Sequence, residues 1–360
     1  MPLLEEATDL AVQEGHLDVA ASLMARRKAL GPLSPQLTNL DGLIALRQKR
    51  LIDAAAAFDL ALASGIAEPE VRFNRAWVHA LQGDFDATNV LLDDATAGVS
   101  PRAASLKVQA LHHLGDLTGA IEAGEDLLER FPEDNGLLGA LSVAAIDSFD
   151  YELARSYAMR ATGGADALTT QGLVALNDDD GASALLLFDK ALKEAPSAPR
   201  AWLGRGLSLL AHGDIEGAAP CLQKGAQIFG DHLGSWIALG WTHFLRKDYP
   251  TARQSFDTAM GHDENFAETH GALAVLDIVE NRIESARRRT DIALRLDRNC
   301  FGGTLARSLL LEMEGKPEFA AKIRTRAMNM PVGVEGKTLA QAMFSLASAK
   351  GNAPSTKTLQ

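Results

Sequence analysis

The chain has 360 residues, of which 47% are hydrophobic and only 6% aromatic, and its net charge at pH 7 is −12. This acidic balance disfavours nucleic acid or an anionic membrane as the main partner. No apolar run approaches the roughly 18 residues of a membrane span, and the first residues lack the charged flank and apolar core of a secretory signal. Cys221 and Cys300 form no paired motif. We therefore expect a cytoplasmic protein with reduced thiols and no direct membrane insertion.

A short motif recurs along the chain at intervals of 30 to 34 residues, in which an alanine follows a glycine by five residues. The alanine position is held by Ala20, Ala54, Thr88, Ala120, Ala154, Ala184, Ala218, Ala252, Ala286 and Ala320. Around it, apolar residues recur at steps of three and four, which is the spacing of helices. A fixed period of this length is typical of stacked helical pairs. Helical pairs bury their apolar faces only by stacking on neighbours, so one array is predicted.

The period predicts ten units over residues 1–334. They begin near residues 1, 35, 69, 101, 135, 165, 199, 233, 267 and 301. The shorter intervals, 32 and 30, leave the helix ends near 95–101 and 161–165 open. Residues 335–350 are predicted to form a last amphipathic helix that covers the end of the array, and residues 351–360 a disordered tail.

The turn inside each unit has its own residues. Glycine can supply the left-handed conformation that ends a first helix. Where the next residue is aspartate, as at Asp84, Asp116 and Asp214, it is expected to cap the second helix. Five units carry another residue in the glycine position: Lys49, Phe149, Asp179, Lys247 and Asn281.

These positions resemble the tetratricopeptide repeat, which carries tryptophan at its fourth residue, a small residue at its eighth, alanine at its twentieth and an aromatic near its twenty-fourth. The best matching unit, residues 233–266, has Trp236, Gly240, Ala252 and Phe256. The resemblance implies an all-α fold, a right-handed α-solenoid or superhelix of antiparallel helix pairs. It also implies a non-enzymatic protein that binds partners through a concave groove lined by the first helix of each unit.

The groove positions of that family change here from polar in the first units to apolar in the last. The candidate groove residues are Phe73, Trp77, Gln109, His112, Leu203, Leu207, Leu210, Ile237, Trp241, Phe244, Val275, Ile278, Leu305 and Leu309. A leucine row at helical spacing is also what plain core looks like. The alternatives of core, bound partner and self-association stay open at this point.

No constellation predicts chemistry. Residues 333–338 end like a phosphate-binding loop, but Pro331 stands where the motif needs glycine and no strand precedes it. Residues 177–181 lack the register of a calcium loop. His112 and His113 are adjacent and so point to different helix faces, which suits partner contact better than a shared metal. We expect no catalytic residue, cofactor or metal.

The basic stretch Arg287–Arg289 has acidic residues at helical spacing, Glu284 and Asp291, which favours a solvated face. A secondary site for an acidic partner is the alternative.

The function predicted from the sequence is a non-enzymatic adaptor or scaffold that binds an apolar or amphipathic segment of a protein partner. Two alternatives remain. The apolar face assembles copies of the chain into a homo-oligomer, or the chain is an accessory or chaperone subunit of a secretion, cell-surface or glycosylation system. The sequence does not identify the partner.

Overall fold

The computed structural model describes residues 2–64 and 68–328. Within these ranges the chain forms 21 helices and no strand, which confirms the predicted all-α repeat fold. The predicted helix at 335–350 and the predicted tail at 351–360 lie outside the described residues.

The chain divides after Thr162 into two compact units. The helices of the N-terminal unit are α1 Pro2–Gln13, α2 Leu17–Ala29, α3 Pro35–Arg47, α4 Leu51–Ala63, α5 Pro69–Leu81, α6 Phe85–Leu91, α7 Asp94–Ala97, α8 Pro101–His113, α9 Leu117–Leu128, α10 Asn135–Asp147 and α11 Tyr151–Arg160. Those of the C-terminal unit are α12 Ala165–Asn177, α13 Gly181–Glu194, α14 Pro199–Ala211, α15 Ile215–Phe229, α16 Leu233–Leu245, α17 Tyr249–His262, α18 Ala267–Val279, α19 Ile283–Leu296, α20 Phe301–Met313 and α21 Pro317–Met328.

The turn between the two helices of a pair has the predicted left-handed residue whether or not that residue is glycine. Gly115 has φ 79°, and Phe149, in the same position of the next pair, has φ 62°. Asp116 accepts a hydrogen bond from the amide of Gly119 at 2.9 Å, as an N-cap does. The caps predicted at Asp84 and Asp214 are also present. The repeat motif therefore encodes a local backbone conformation, in which a left-handed residue ends the first helix and a cap starts the second.

Small residues let the two helices of a pair approach closely. The alanine position is fully buried throughout, from Ala20 to Ala320, and Thr88 fits the same place because its hydroxyl bonds the carbonyl of Asp84 at 2.7 Å. A Cβ on Gly240 would lie 2.3 Å from the ring of Phe256, which is itself fully buried. The same pairing recurs in other helix pairs between Gly42 and Phe58 and between Gly172 and Phe188.

The two short intervals have local causes. In the third helix pair the second helix is broken: α6 ends at Leu91, and Asp93 starts α7 by accepting from the amide of Thr96 at 2.9 Å. In the fifth pair α11 ends early, at Arg160, and the boundary between the two compact units follows. The two shorter units therefore differ from the others in their second helices, while their first helices, α5 and α10, keep the usual 13 residues.

In the C-terminal unit, the first helices α18 and α20 approach each other backbone to backbone. A Cβ on Gly271 would lie 2.2 Å from the backbone nitrogen of Gly303, and one on Gly302 would lie 2.8 Å from the nitrogen of Ala272. Backbone meets backbone here, so no flexible side chain can move to make room.

We therefore expect Gly271→Ala to destabilise the C-terminal unit by about 1–3 kcal/mol, because the added methyl overpacks a backbone contact. The measurement is the urea midpoint followed by circular dichroism. The matched control is Gly261→Ala in α17, where a Cβ meets nothing within 4 Å. That substitution should stabilise by up to about 1 kcal/mol, because alanine is the better helix former. Equal midpoints for both variants would contradict the close contact.

Candidate functional site

Six of the candidate groove residues lie together in one apolar cluster. Trp241 and Phe244 of α16, Ile278 of α18, and Leu305 and Leu309 of α20 are partly buried and pack against a buried base. That base is formed by Ala274, Val275 and Ala306. Three first helices, α16, α18 and α20, therefore share one apolar surface.

The last turns of these three helices carry an exposed apolar residue each. Leu245 is 58% exposed, Val279 44% and Met313 57%. Each is four residues after a member of the cluster (Trp241, Val275 and Leu309), so each pair lies on one side of its helix. We call the surface of Trp241, Phe244, Leu245, Ile278, Val279, Leu305, Leu309 and Met313 the apolar strip.

Two candidate groove residues lie beneath the surface. Val275 is 2% exposed and Ile237 is 7% exposed, and both belong to the core. They support the strip from below and offer little area to a partner. On α14, Leu203 and Leu210 pack partly buried against the core around Leu222, while Leu207 is 37% exposed.

Trp241 is the centre of an aromatic group. Its ring lies 5.4 Å from that of Phe244, 5.6 Å from the buried Phe256 of α17 and 6.2 Å from Phe301 at the start of α20. All three contacts are edge-on, an arrangement worth about 0.5–1.5 kcal/mol per pair beyond area burial. Trp241 is therefore a structural residue as well as a surface one.

The aromatic pair of the N-terminal unit is also partly core. The rings of Phe73 and Trp77 on α5 lie 5.9 Å apart. Both pack against buried residues that include Leu92 and Leu106.

The polar candidate residues of the same unit lie on α8. Gln109 is half-buried, and Nε2 of His112 lies 2.7 Å from Oδ2 of Asp147 on α10. The ring of His113 is stacked on that of Phe85 at 4.0 Å, so the adjacent histidines point to different neighbours, as predicted. Among residues 2–64 and 68–328, no three potential metal ligands come together.

A charged network holds the last turn of α18. Asp277 is 1% exposed, and its carboxylate accepts hydrogen bonds from Arg253 at 2.6 Å, Arg282 at 2.7 Å and Ser285 at 2.6 Å. Arg289 lies 3.2 Å from its second oxygen. A buried carboxylate is tolerated when it is this fully paired.

Two of the three arginines in the stretch Arg287–Arg289 form ion pairs. Arg289 pairs with Asp277, and Arg287 with Glu314 of the next helix pair. Only Arg288 of the three is exposed without such a partner.

A separate cavity of about 740 Å³ lies in the N-terminal unit between α2, α3 and α4. Its walls include Leu33 and Ala57, the ion pair of Lys28 with Asp41 at 2.7 Å, and Arg50 near Asp53. The charges balance, so the cavity indicates no ligand class. It contains none of the candidate groove residues.

The three exposed residues of the strip, Leu245, Val279 and Met313, were not among the candidate groove residues. A signal was present, because each is the thirteenth residue of its unit, a position that the resembled family directs into its groove. Both cysteines are buried free thiols, Cys221 in α15 and Cys300 before α20.

The comparisons with known proteins identify the class. A tetratricopeptide-repeat family model matches residues 6–69 and 169–232. Among solved structures, a monomeric mutant of IFIT1 with m7Gppp-AAAA matches with a TM-score of 0.57, at 12% identity over 89% of this chain and 88% of that one. The human IFIT1 dimer with PPP-AAAA has a TM-score of 0.56, at 12% identity over 89% and 88%.

The Cut9–Hcn1 hetero-tetramer of the APC/C has a TM-score of 0.51, at 12% identity over 91% of this chain and 86% of that one. At such identities the likeness concerns the fold alone. No curated protein matches the sequence significantly.

By this match, residues 6–69 and 169–232 are tetratricopeptide repeats, and the helix pairs between and after them continue the same all-α repeat fold. Proteins of this family are in general interaction scaffolds without catalysis of their own, and this chain has the architecture of such a scaffold. None of the helices in the described ranges has both the length and the apolar character of a membrane span.

The stability of the C-terminal unit is expected to depend on pH through His243, which lies between Trp241 and Phe244 in α16. His243 is 7% exposed, and burial lowers its pKa, as does Arg246, against an opposing effect of Asp248. The folded state therefore binds fewer protons than the unfolded state, and stability is lost as the pH falls below about 6.5. Between pH 7.5 and 5.5 the urea midpoint should fall more in the wild type than in His243→Gln. The exposed His262→Gln should follow the wild type; parallel curves for all three would contradict the prediction.

Proposed function

We propose that this protein is a non-enzymatic adaptor whose apolar strip binds an apolar or amphipathic segment of a protein partner. The observation that carries the proposal is the exposure of Leu245, Val279 and Met313 in equivalent turns of three neighbouring helices. These side chains stand beside one apolar cluster that the three helices share, and large exposed apolar patches are uncommon on a protein that works alone.

Burial of these side chains supplies the binding energy. Covering one fully exposed leucine or methionine is worth about 1.5–3 kcal/mol. The partly exposed rings of Trp241 and Phe244, on the same helix as Leu245, add residue types that dominate interface energies. An amphipathic helix would bind such a surface by burying its apolar face, as in other helix-in-groove complexes.

The strip offers charge as well as apolar area at its edge. Glu312 and Glu314 in the last turn of α20 pair with Arg324 and with Arg287 and Lys316. In the turn after α16, Lys247 is exposed. Because most of the charges at this edge are already paired, affinity is expected to depend weakly on salt.

We expect a photoreactive phenylalanine analogue at Val279 to crosslink a partner in cells that make the protein. Leu245→Glu with Met313→Glu should reduce the adduct at least tenfold, because charge is introduced where apolar burial is needed. Both positions are exposed, so melting temperature should change little. The adduct is measured by immunoblot and identified by mass spectrometry.

The matched control is Leu186→Glu on α13, a leucine that is 64% exposed and far along the chain from the strip. It should leave the adduct unchanged. An adduct of twice the chain mass would favour self-assembly instead, and an adduct that survives the strip variants would refute the proposal. Substituting Trp241 or Phe244 is less informative, since both pack against the core.

A further inference from the structure

The start of α20 is held from outside its own helix. Its N-cap residue is Cys300, whose sulfur accepts from the amide of Gly303 at 3.2 Å, and its first turn contains two consecutive glycines. Thiols are weak acceptors and glycine is a poor helix former. The first turn of α20 therefore has little stability of its own.

Glu268 of α18 adds a stronger acceptor to the start of α20. Its carboxylate accepts from the amide of Gly302 at 3.0 and 3.2 Å and from the thiol of Cys300 at 3.1 Å. It lies one turn before Gly271, the residue that brings α18 and α20 together. The glycine contact thus places a carboxylate against a helix N-terminus, where backbone donors and the helix dipole favour negative charge.

Within residues 2–64 and 68–328, the hydrogen-bond partners of this carboxylate include no cation. Burial raises the pKa of Glu268, and nearby Asp297 adds to the rise, while the Cys300 thiol and the amides of Gly302 and Phe301 oppose it. Burial and the neighbouring Glu268 raise the pKa of Cys300, so the thiol keeps its proton and continues to donate. The hydrogen bonds to α20 are consequently the main compensation for the desolvation of this half-buried carboxylate.

One residue links this cap to the apolar strip. Phe301 lies between Cys300 and Gly302, is 40% exposed, and its ring contacts that of Trp241 on α16 at 6.2 Å. Whatever fixes the first turn of α20 also fixes this ring against Trp241.

We propose that Glu268 is a positioning residue that caps α20 from the neighbouring helix, and that it thereby holds Phe301 over Trp241 and covers one edge of the apolar strip. Release of this cap frays the first turn of α20 and uncovers Trp241. The inference rests on the proposed function only for the role of the strip as a binding surface.

The test uses the full chain without any partner and measures maleimide labelling of each cysteine by peptide mass spectrometry. In Glu268→Ala, Cys300 should label about tenfold faster or more, since a lost buried hydrogen-bond partner shifts local opening by that order. Cys221, in α15, should keep its wild-type rate. Amide exchange at Gly302 and Gly303 should accelerate with Cys300. The exposed Glu318→Ala serves as the matched loss of a carboxylate and should change neither rate.

Glu268→Gln keeps an acceptor but removes the charge, and it should accelerate Cys300 labelling less than Glu268→Ala does. In a variant that retains only Trp241 among the tryptophans, Glu268→Ala should also shift the emission to longer wavelength. A parallel rise at Cys221 and Cys300, or wild-type labelling in both Glu268 variants, would overturn the inference. None of these measurements involves a partner, so their failure is distinct from failure of the crosslinking test.

Discussion

Close contact between helices at positions with one side-chain carbon or none is the constraint on which the structure depends. Ala218 and Ala252 are fully buried, and a larger side chain there would push two helices apart. At Gly240 the opposite arrangement occurs: the large ring of Phe256 fills the space that is free because glycine has no Cβ. Because each pair repeats this arrangement, each first helix carries apolar residues on the side that meets its own partner and on the side that meets the next pair.

This constraint explains why so much was readable from the sequence. Each unit needs small residues at fixed spacing and a left-handed turn, often with an aspartate cap. These are local requirements, so the residues that meet them recur in the sequence with the period of the repeat. Even Phe149, an unsuitable residue for positive φ, adopts it because the helices on both sides define the turn. Seven residues after the repeated alanine, most units carry a small residue such as Ala61, but the first unit has Arg27. The Nε of Arg27 donates to Glu5 of α1 at 2.8 Å, so an ion pair replaces a methyl contact there.

Other features were not readable, because they depend on how neighbouring pairs meet. The pattern gave Val275 and Ile278 the same apolar character, yet Val275 is buried and Ile278 is only partly buried. Which of them is covered is decided by the approach of α20, and that approach is decided by Gly271 meeting two glycines 31 and 32 residues away. Glu268 was likewise not predictable, because a carboxylate does not recur at this position from unit to unit and so leaves no periodic pattern in the sequence. The break between α6 and α7 left only a shortened interval, without indicating which helix was interrupted.

The two compact units differ in net charge. Residues 1–162 contain 13 basic and 24 acidic residues, whereas residues 163–360 contain 22 and 23, so the unit that carries the strip is nearly neutral. Around the strip, arginines are used in pairs with Asp277, Glu280, Glu312 and Glu314. On the proposed function, weak long-range attraction and paired local charges leave discrimination between partners to the shape and apolar area of the strip. The placement of Trp241 and Phe301 would then matter more than any single charge, because their rings lie in contact at the start of α20.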